Sequence, residues 1–355
     1  MSSVWAKSNR DEVGAVTEWL PLQQHLDDTI SVARLLIDHW VSPQVSSRIE
    51  RDFVGDGAAF RAVACWLAGC HDVGKASPAF SCQVDVLADR MRQHGFPMQP
   101  RLSEDPGRRA VNHALVGQWA ARDWLADEAG FDFAGTAVQW GSVIGSHHGV
   151  APEESQLALV DSSSHLTGSG VWERVRAELF AWVTGEIGGL DVLKNYAGMN
   201  VSMPAQVLIT AVVIVADWIA SNSDLFPLAP ISETAFHPSA ARTTTAWGQL
   251  NLPPRWAAQS FGGDVDQLFR ARFGPVHTVA RPVQAAAVMA AAEQSVPGML
   301  IVEAPMGSGK TEAALLAAEV LANRSGRAVC SSLCRLRRRR TPCTGGFGHG
   351  WTGFR

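Results

Sequence analysis

His71 and Asp72 stand side by side in "CWLAGCHDVGKASPAF", and further metal-binding residue types recur along the chain: His25, His113, the adjacent pair His147 and His148, and Asp217. A carboxylate beside an imidazole at a helix end can bridge two divalent cations about 3.5–4 Å apart, the arrangement used to cleave phosphate esters. Asp217 lies in the apolar run "VLITAVVIVADWIA", where a carboxylate is costly unless it is paired or ligating. Taken one at a time, His147 and His148 also fit solvated helix-end histidines, held by the negative end of a helix dipole. His25 alone fits a partly buried core histidine. His39, His94, His165, His237, His277 and His349 fit no part of the pattern and are expected on the surface.

These groups need elements that aim them at one point. Leu22, Leu26, Ile30, Ala33, Ile37 and Trp40 recur at helical spacing, with His25 near the start of that helix. Phe60, Ala64, Leu67 and His71 form one stripe of the next. Asn112 caps a helix that carries His113 in its first turn. "FAGTAVQWGSVIGSHHGV" ends a helix at His147 and His148, before Gly149 and Pro152. Asp217 sits late in an apolar helix. The first 225 residues therefore read as a mainly α bundle, with each candidate ligand on its own helix or helix end. Trp66, Trp119 and Trp218 fall at core spacing and are expected to pack inside.

Composition fits a well-packed protein of about two domains, with 355 residues and 46% hydrophobic content. "MSSVWAKSNRDEVG" has no apolar signal-peptide core, and Val207–Ala220 is short for a membrane span and carries Asp217. Six cysteines without such a signal suggest reduced thiols, and Cys65, Cys70 and Cys82 lack structural-zinc spacing. The expected setting is cytoplasmic. The formal charge is −4, but residues 335–355 hold six arginines and no acid, which leaves −10 on residues 1–334. An acidic body argues against broad nonspecific DNA affinity and leaves room for a local basic groove.

Residues 226–275, rich in Pro, Ser and Thr, read as a linker. "GMLIVEAP" then reads as a buried strand, and "APMGSGKTEAALLAAEVLA" as a phosphate loop opening an amphipathic helix. Gly307, Ser308 and Gly309 can cradle phosphates at the helix N-terminus. Lys310 can reach the β- and γ-phosphates, and Thr311 can hold Mg²⁺. Ala304 stands at the first position of the pattern, where Gly is usual.

Together, "HLDDT", "HDVGK", "NHALVG", "SHHG" and "ADWIASN", followed by a linker and "APMGSGKTEAAL", resemble the HD nuclease–helicase of type I CRISPR interference. The resemblance covers residues 15 to about 329, and "RPVQ" at Arg281–Gln284 is similar to that family's adenine-reading glutamine motif. It implies a helical HD bundle over 1–225 and an incomplete α/β RecA-like lobe over 276–329. It also implies that His25, His71, Asp72 and Asp217 hold one metal, and that Asp72 bridges to a second held by His113, His147 and His148. Water made acidic by the metals would attack the phosphorus of single-stranded DNA, with Asp72 and Lys75 as catalytic groups and Lys75 neutralising the phosphate. Imidazole-rich ligation favours Fe, Mn, Co or Ni over Mg. The implied partners are single-stranded DNA and a crRNA-guided surveillance complex, for a monomer that does not enter membranes.

The family match stops after "SGRAV", and "CSSLCRLRRRRTPCTGGFGHGWTGFR" has no hydrophobic period. Residues 330–355 read as an out-of-frame or disordered tail, or as a basic nucleic-acid-binding arm. On that reading the ATP/Mg site is incomplete and helicase activity is expected to be absent. Two other functions fit the residues. One is an HD phosphohydrolase of small nucleotides. The other is a non-catalytic remnant that docks on the surveillance complex.

Overall fold

A computed structural model describes residues 3–233, 239–252, 258–274, 279–295 and 298–325. The chain forms two compact units, Met1–Asn251 and Leu252–Arg355.

The first unit opens on a hairpin that the helical reading of residues 1–225 did not anticipate. β1 (Trp5–Arg10) pairs antiparallel with β2 (Val16–Pro21), and β2 pairs with the two-residue β3 (Ala229–Pro230). The hairpin leads directly into α1 (Leu22–Leu35), whose apolar face buries Leu22, Leu26, Ile30 and Ala33. The other principal helices are α2 (Gly57–Cys70), α3 (His113–Ala129), α4 (Thr136–Gly145), α5 (Val171–Glu186) and α6 (Met203–Ala220). Asp56 caps α2 by accepting from the amides of Ala58 and Ala59. Asn112 caps α3 by accepting from Leu115 N at 3.1 Å. Such caps are each worth about 1 kcal/mol, and that of Asn112 also sets where α3 begins, with His113 as its first residue.

The core is built around Trp66 on α2. Its indole lies 5.6 Å from Trp140 on α4 and 6.2 Å from Phe180 on α5, and its N–H donates to Thr184 Oγ1 at 2.9 Å. Gly69, one turn later, lets Ile30 of α1 and Val183 of α5 close over α2, since a Cβ there would lie 2.6 Å from Val183.

α6 packs Ala205, Ile209, Val213 and Ala216 inward. Its other face is open: Trp218, expected inside, is 69% exposed, because it follows Asp217 on the helix and points away from the core. Trp119 is partly buried, with its N–H donating to Asp161. Among the described residues α6 is the one helix long and apolar enough to cross a membrane by length and composition.

The stretch 226–275, read as linker, supplies a helix to each unit. α7 (Ser239–Leu250) packs on α1, where Ser239 and Arg242 bind the buried carboxylate of Asp28. Burial against α1 overrides the weak helical tendency of its serine and threonines.

In the second unit α8 (Val265–Phe273), α9 (Pro282–Glu293) and α10 (Lys310–Ser325) share a core of Leu268, Phe269, Val288, Leu316 and Val320. Beside it, the buried Glu319 carboxylate accepts from Arg272 Nε at 2.8 and 2.7 Å, and from Gln259 N. The expected strand before the phosphate loop is not formed. Residues 298–305 pair with no strand among the described residues, and Met299 and Ile301 are 83% and 69% exposed. A parallel strand needs neighbours for its backbone groups, and the described residues of this unit offer none. Residues 330–355, including the arginine-rich tail, lie outside the described residues.

Candidate metal centre

The structure brings all seven candidate ligands to one place. His25 comes from the first turn of α1, and His71 and Asp72 from the turn that ends α2. His113 begins α3, His147 and His148 follow α4, and Asp217 lies near the end of α6. They fall into two groups, His25–His71–Asp72–Asp217 and His113–His147–His148, within each of which the possible ligand atoms lie within 4.8 Å of one another.

Asp72 joins the groups. Its Oδ2 lies 3.0 Å from His25 Nε2 and 3.3 Å from His71 Nε2, while its Oδ1 lies 3.3 Å from His113 Nε2 and 3.6 Å from His147 Nε2. Asp217 Oδ1 completes the first group at 3.3 Å from His25 and 3.5 Å from His71. His148 completes the second, with its Nε2 2.9 Å from that of His113.

The imidazoles are oriented from behind. His71 Nδ1 lies 2.7 Å from Ala68 O, and His147 Nδ1 lies 2.6 Å from Ile144 O. A proton on each Nδ1 satisfies those carbonyls and turns the Nε2 lone pairs toward the centre. His25, His71 and His147 each keep a buried Nε2 without a hydrogen-bond partner among the described residues. Such inward-facing ring nitrogens beside two carboxylates suit divalent metal ions once His71 gives up its extra proton, and the nitrogen-rich donor set suits a transition metal.

The HD turn is held closely enough to fix this arrangement. Gly74 packs so tightly on the start of α3 that a Cβ would lie 1.9 Å from His113 O. Buried Arg176 of α5 donates to the carbonyls of Ala76, Thr167 and Gly168, which ties the chain after the turn to the bundle. Lys75 is buried over the Phe80 ring and donates to Asp72 Oδ2 at 2.6 Å. One charged neighbour was not singled out from the sequence: Lys7 of β1, within electrostatic reach of Lys75, Asp217 and Asp72. Its signal is a lysine directly after the apolar pair Trp5–Ala6, at the buried end of a strand.

Burial disfavours a charge on His71, but Asp72 and Asp217 outweigh it and raise its pKa to about 10. Burial dominates at His113 and His147, which fall to about 3 and about 4 despite the attraction of Asp72. At neutral pH His71 is therefore protonated in the metal-free protein, whereas His113 and His147 are neutral. The two groups should respond to pH differently. A metal entering the first group must expel the His71 proton, so its affinity should rise roughly tenfold per pH unit up to about pH 10. His113 and His147 impose no such competition above about pH 4. Calorimetric metal titrations in buffers of different ionisation enthalpy should show about one proton released from His71 at pH 7. Titrations with no proton release would contradict this.

A family model described as Cas3, HD domain, matches residues 5–226. The chain belongs to the Cas3 HD-domain family. It is 30% identical to the CRISPR-associated nuclease/helicase Cas3 of Streptococcus thermophilus, over 93% of this chain and 35% of the relative. It is 28% identical to the CRISPR-associated endonuclease/helicase Cas3 of Thermus thermophilus, over 90% of this chain and 32% of the relative. It thus spans about a third of the length of these relatives. Among solved structures, a CRISPR-associated protein superposes with a TM-score of 0.68 at 27% identity, over 91% of this chain and 34% of the other. T. fusca Cas3 with ADP shares the fold, with a TM-score of 0.63 at 22% identity over 92% of this chain and 35% of the other.

The second unit holds the candidate nucleotide-binding residues. Gly307 and Gly309 adopt φ of +78° and +90°, a backbone region that favours glycine. Lys310 Nζ donates to the carbonyls of Ala304 and Pro305 at 2.5 and 2.9 Å, and Ser308 Oγ to Pro305 O at 2.7 Å. Gln284 is buried against Gly309, where a Cβ would lie 2.3 Å from its amide nitrogen. Thr311 is exposed at the start of α10.

Proposed function

We propose that this chain is a metal-dependent nuclease that cuts single-stranded DNA in CRISPR defence. The observation that carries the proposal is the placement of Asp72, one oxygen toward each histidine group. His25, His71, Asp72 and Asp217 would hold one divalent cation, and Asp72, His113, His147 and His148 a second. Bound there, the pair supplies Lewis acidity for water and for the phosphate. The chain's own residues do the rest. The backbone carbonyls of Ala68 and Ile144 hold the His71 and His147 rings in one tautomer. Lys75 balances the Asp72 carboxylate and would neutralise negative charge developing on the phosphate. The buried floor of the site excludes bulk water and strengthens these interactions.

The recess of the site supports the substrate class. His25, His71 and Asp72 are buried, and His148 marks the exposed side. A flexible single strand can bend a phosphate down to such a floor, whereas a stiff duplex holds its phosphates on a convex surface. The relatives' names, nuclease/helicase and endonuclease/helicase, support the reaction class. A structure described as a CRISPR RNA-guided surveillance complex, pre-nicking, contains a chain of this fold and supports a similar complex as partner. We further assign Gln284, Gly307, Ser308, Gly309, Lys310 and Thr311 to an incomplete ATP-phosphate site in a vestigial helicase segment, and propose a cytoplasmic monomer.

Circular single-stranded DNA incubated with the purified chain should be linearised and degraded with Mn²⁺, Co²⁺ or Ni²⁺ and remain intact with EDTA. Duplex of the same sequence should be cut more slowly. Intact circles under every metal would falsify the proposal. Preferential hydrolysis of mononucleotides would replace it with a small-nucleotide phosphohydrolase.

A further inference from the structure

β1 brings a cation to the metal centre that no ligand set explains. Relative to β2, β1 carries an extra residue between Trp5 and Lys7: Trp5 pairs with Pro21, and Lys7 already with Leu20. Such bulges re-aim a side chain out of strict alternation. The strand is clamped on the N-terminal side of this bulge. The Trp5 ring lies 4.5 Å from Phe80, its N–H donates to Ser81 O, and Val4 O accepts from Leu22 N at 2.7 Å. Phe80 in turn packs on His113 and under the Lys75 ammonium. Lys7 thus sits on a strand anchored to residues around the site, within electrostatic reach of Lys75, Asp217 and Asp72.

Lys7 is partly buried, and among the described residues its ammonium forms no ion pair or hydrogen bond. Lys75, by contrast, already spends its charge on Asp72 at 2.6 Å. Burial and the neighbouring Lys75 pull the Lys7 pKa below the usual lysine value, while Asp217 and Asp72 pull it upward. Two neighbouring ammonium groups repel each other, and divalent cations at the centre would add to that repulsion. An anion between them and the metals relieves it.

We propose that Lys7 grips the nucleic-acid backbone at the metal centre, donating with Lys75 to non-bridging oxygens of the scissile phosphate or its neighbour. This rests on the nuclease reading above. The alternative role, a structural counter-charge for Asp72 and Asp217, makes different predictions.

The test compares the full chain with Lys7→Met, which keeps the aliphatic stem, and Lys7→Arg, which keeps the charge. Binding of a fluorescein-labelled oligodeoxythymidylate is followed by anisotropy in Ca²⁺ across a salt series, and cleavage is followed in Mn²⁺. Lys7→Met should weaken binding on the order of 5- to 10-fold and reduce the salt slope by about 0.7, the value for one phosphate contact on a single strand. The loss should appear in KM at least as much as in kcat, with bound metal and Tm unchanged, and Lys7→Arg should recover most of it. Wild-type binding and slope in Lys7→Met, beside an active parent, would overturn the proposal for Lys7 alone. A lower metal content or Tm in Lys7→Met would overturn it in favour of the counter-charge role. A parent chain that neither binds nor cuts the oligonucleotide would overturn both this proposal and the nuclease reading.

Discussion

Asp72→Asn should abolish nuclease activity, with a loss of about 10⁴-fold or more, and should lower metal occupancy in both histidine groups. The size follows from geometry. Asp72 faces four imidazoles and Lys75 with its two oxygens, so its charge serves both halves of the centre. Losing the Lewis acidity assembled around it removes several kcal/mol of transition-state stabilisation, and each 1.36 kcal/mol is tenfold in rate. Asparagine keeps the shape but removes the charge and turns one of the two acceptor oxygens into an N–H donor, so the result reports on the carboxylate rather than on lost volume. The metal-free variant should also lose stability, because Lys75 and the protonated His71 are left without their shared buried partner. Breaking a buried ion pair from one side costs about 3–5 kcal/mol. Metal content by elemental analysis, cleavage rate and thermal melting together separate these effects. Wild-type stoichiometry with only a modest rate loss would show that Asp72 does not bridge.

By comparison, Asp217→Asn should spare the second histidine group. Among the described residues, Asp217 pairs with His25 and His71 of the first group and with neither His113, His147 nor His148, and it accepts a hydrogen bond from Ser221 Oγ.

The positions of these candidate ligands were legible because each sits where a helix begins or ends, and helix ends carry local signals. Asn112 before His113 is a cap readable from two residues, and Gly149 and Pro152 mark the stop after His147 and His148. The two-group arrangement came from family resemblance, since nothing local links residue 25 to residue 217. Lys7 was not legible for a related reason. Its placement depends on a bulge and on Trp5 meeting Phe80, a contact that spans most of the first hundred residues. β3 adds to the sheet from beyond residue 225, so neither its register nor its existence appears in the hairpin's own sequence. α7 was hidden in the same way: "SAARTTTAWGQL" has weak intrinsic helicity, and the buried Asp28 carboxylate that anchors its first turn lies on α1.

The second unit shows the converse error. "GMLIVEAP" has the composition of a buried strand, but composition sets only what a segment can do when strands are available beside it. Gly307 and Gly309 of the phosphate loop do adopt positive φ, a requirement that is local to the turn. Trp218 errs in the same direction as the strand. On α6 nearly every position is apolar, so periodicity does not distinguish the core face from the outer one.

Gly74→Ala should be among the most damaging single-methyl additions in the first unit. A Cβ at this position would lie 1.9 Å from His113 O and 2.4 Å from Gly117 N. Both are backbone atoms in the first turns of α3, so no side chain can swing away, and α3 or the HD turn must shift by about an ångström. Overpacking of this kind costs about 3 kcal/mol, equivalent to a fall in Tm of roughly 6–12 °C for a unit of this size. Because His113 supplies its Nε2 from the residue whose carbonyl is struck, the second metal position should suffer before the first. Metal binding at His113–His147–His148 should weaken while that at His25–His71–Asp72–Asp217 persists. A misplacement of about 1 Å can cost 10²-fold in rate even where the fold survives. Gly185→Ala is the control: a Cβ there meets nothing within 4 Å, and alanine is favoured over glycine within α5 by up to about 1 kcal/mol. The pair should therefore diverge in sign, with Gly185→Ala raising Tm slightly at full activity. If Gly74→Ala instead melts and binds metal like the parent, the close approach of the HD turn to α3 is not what sets the spacing of the two metal positions.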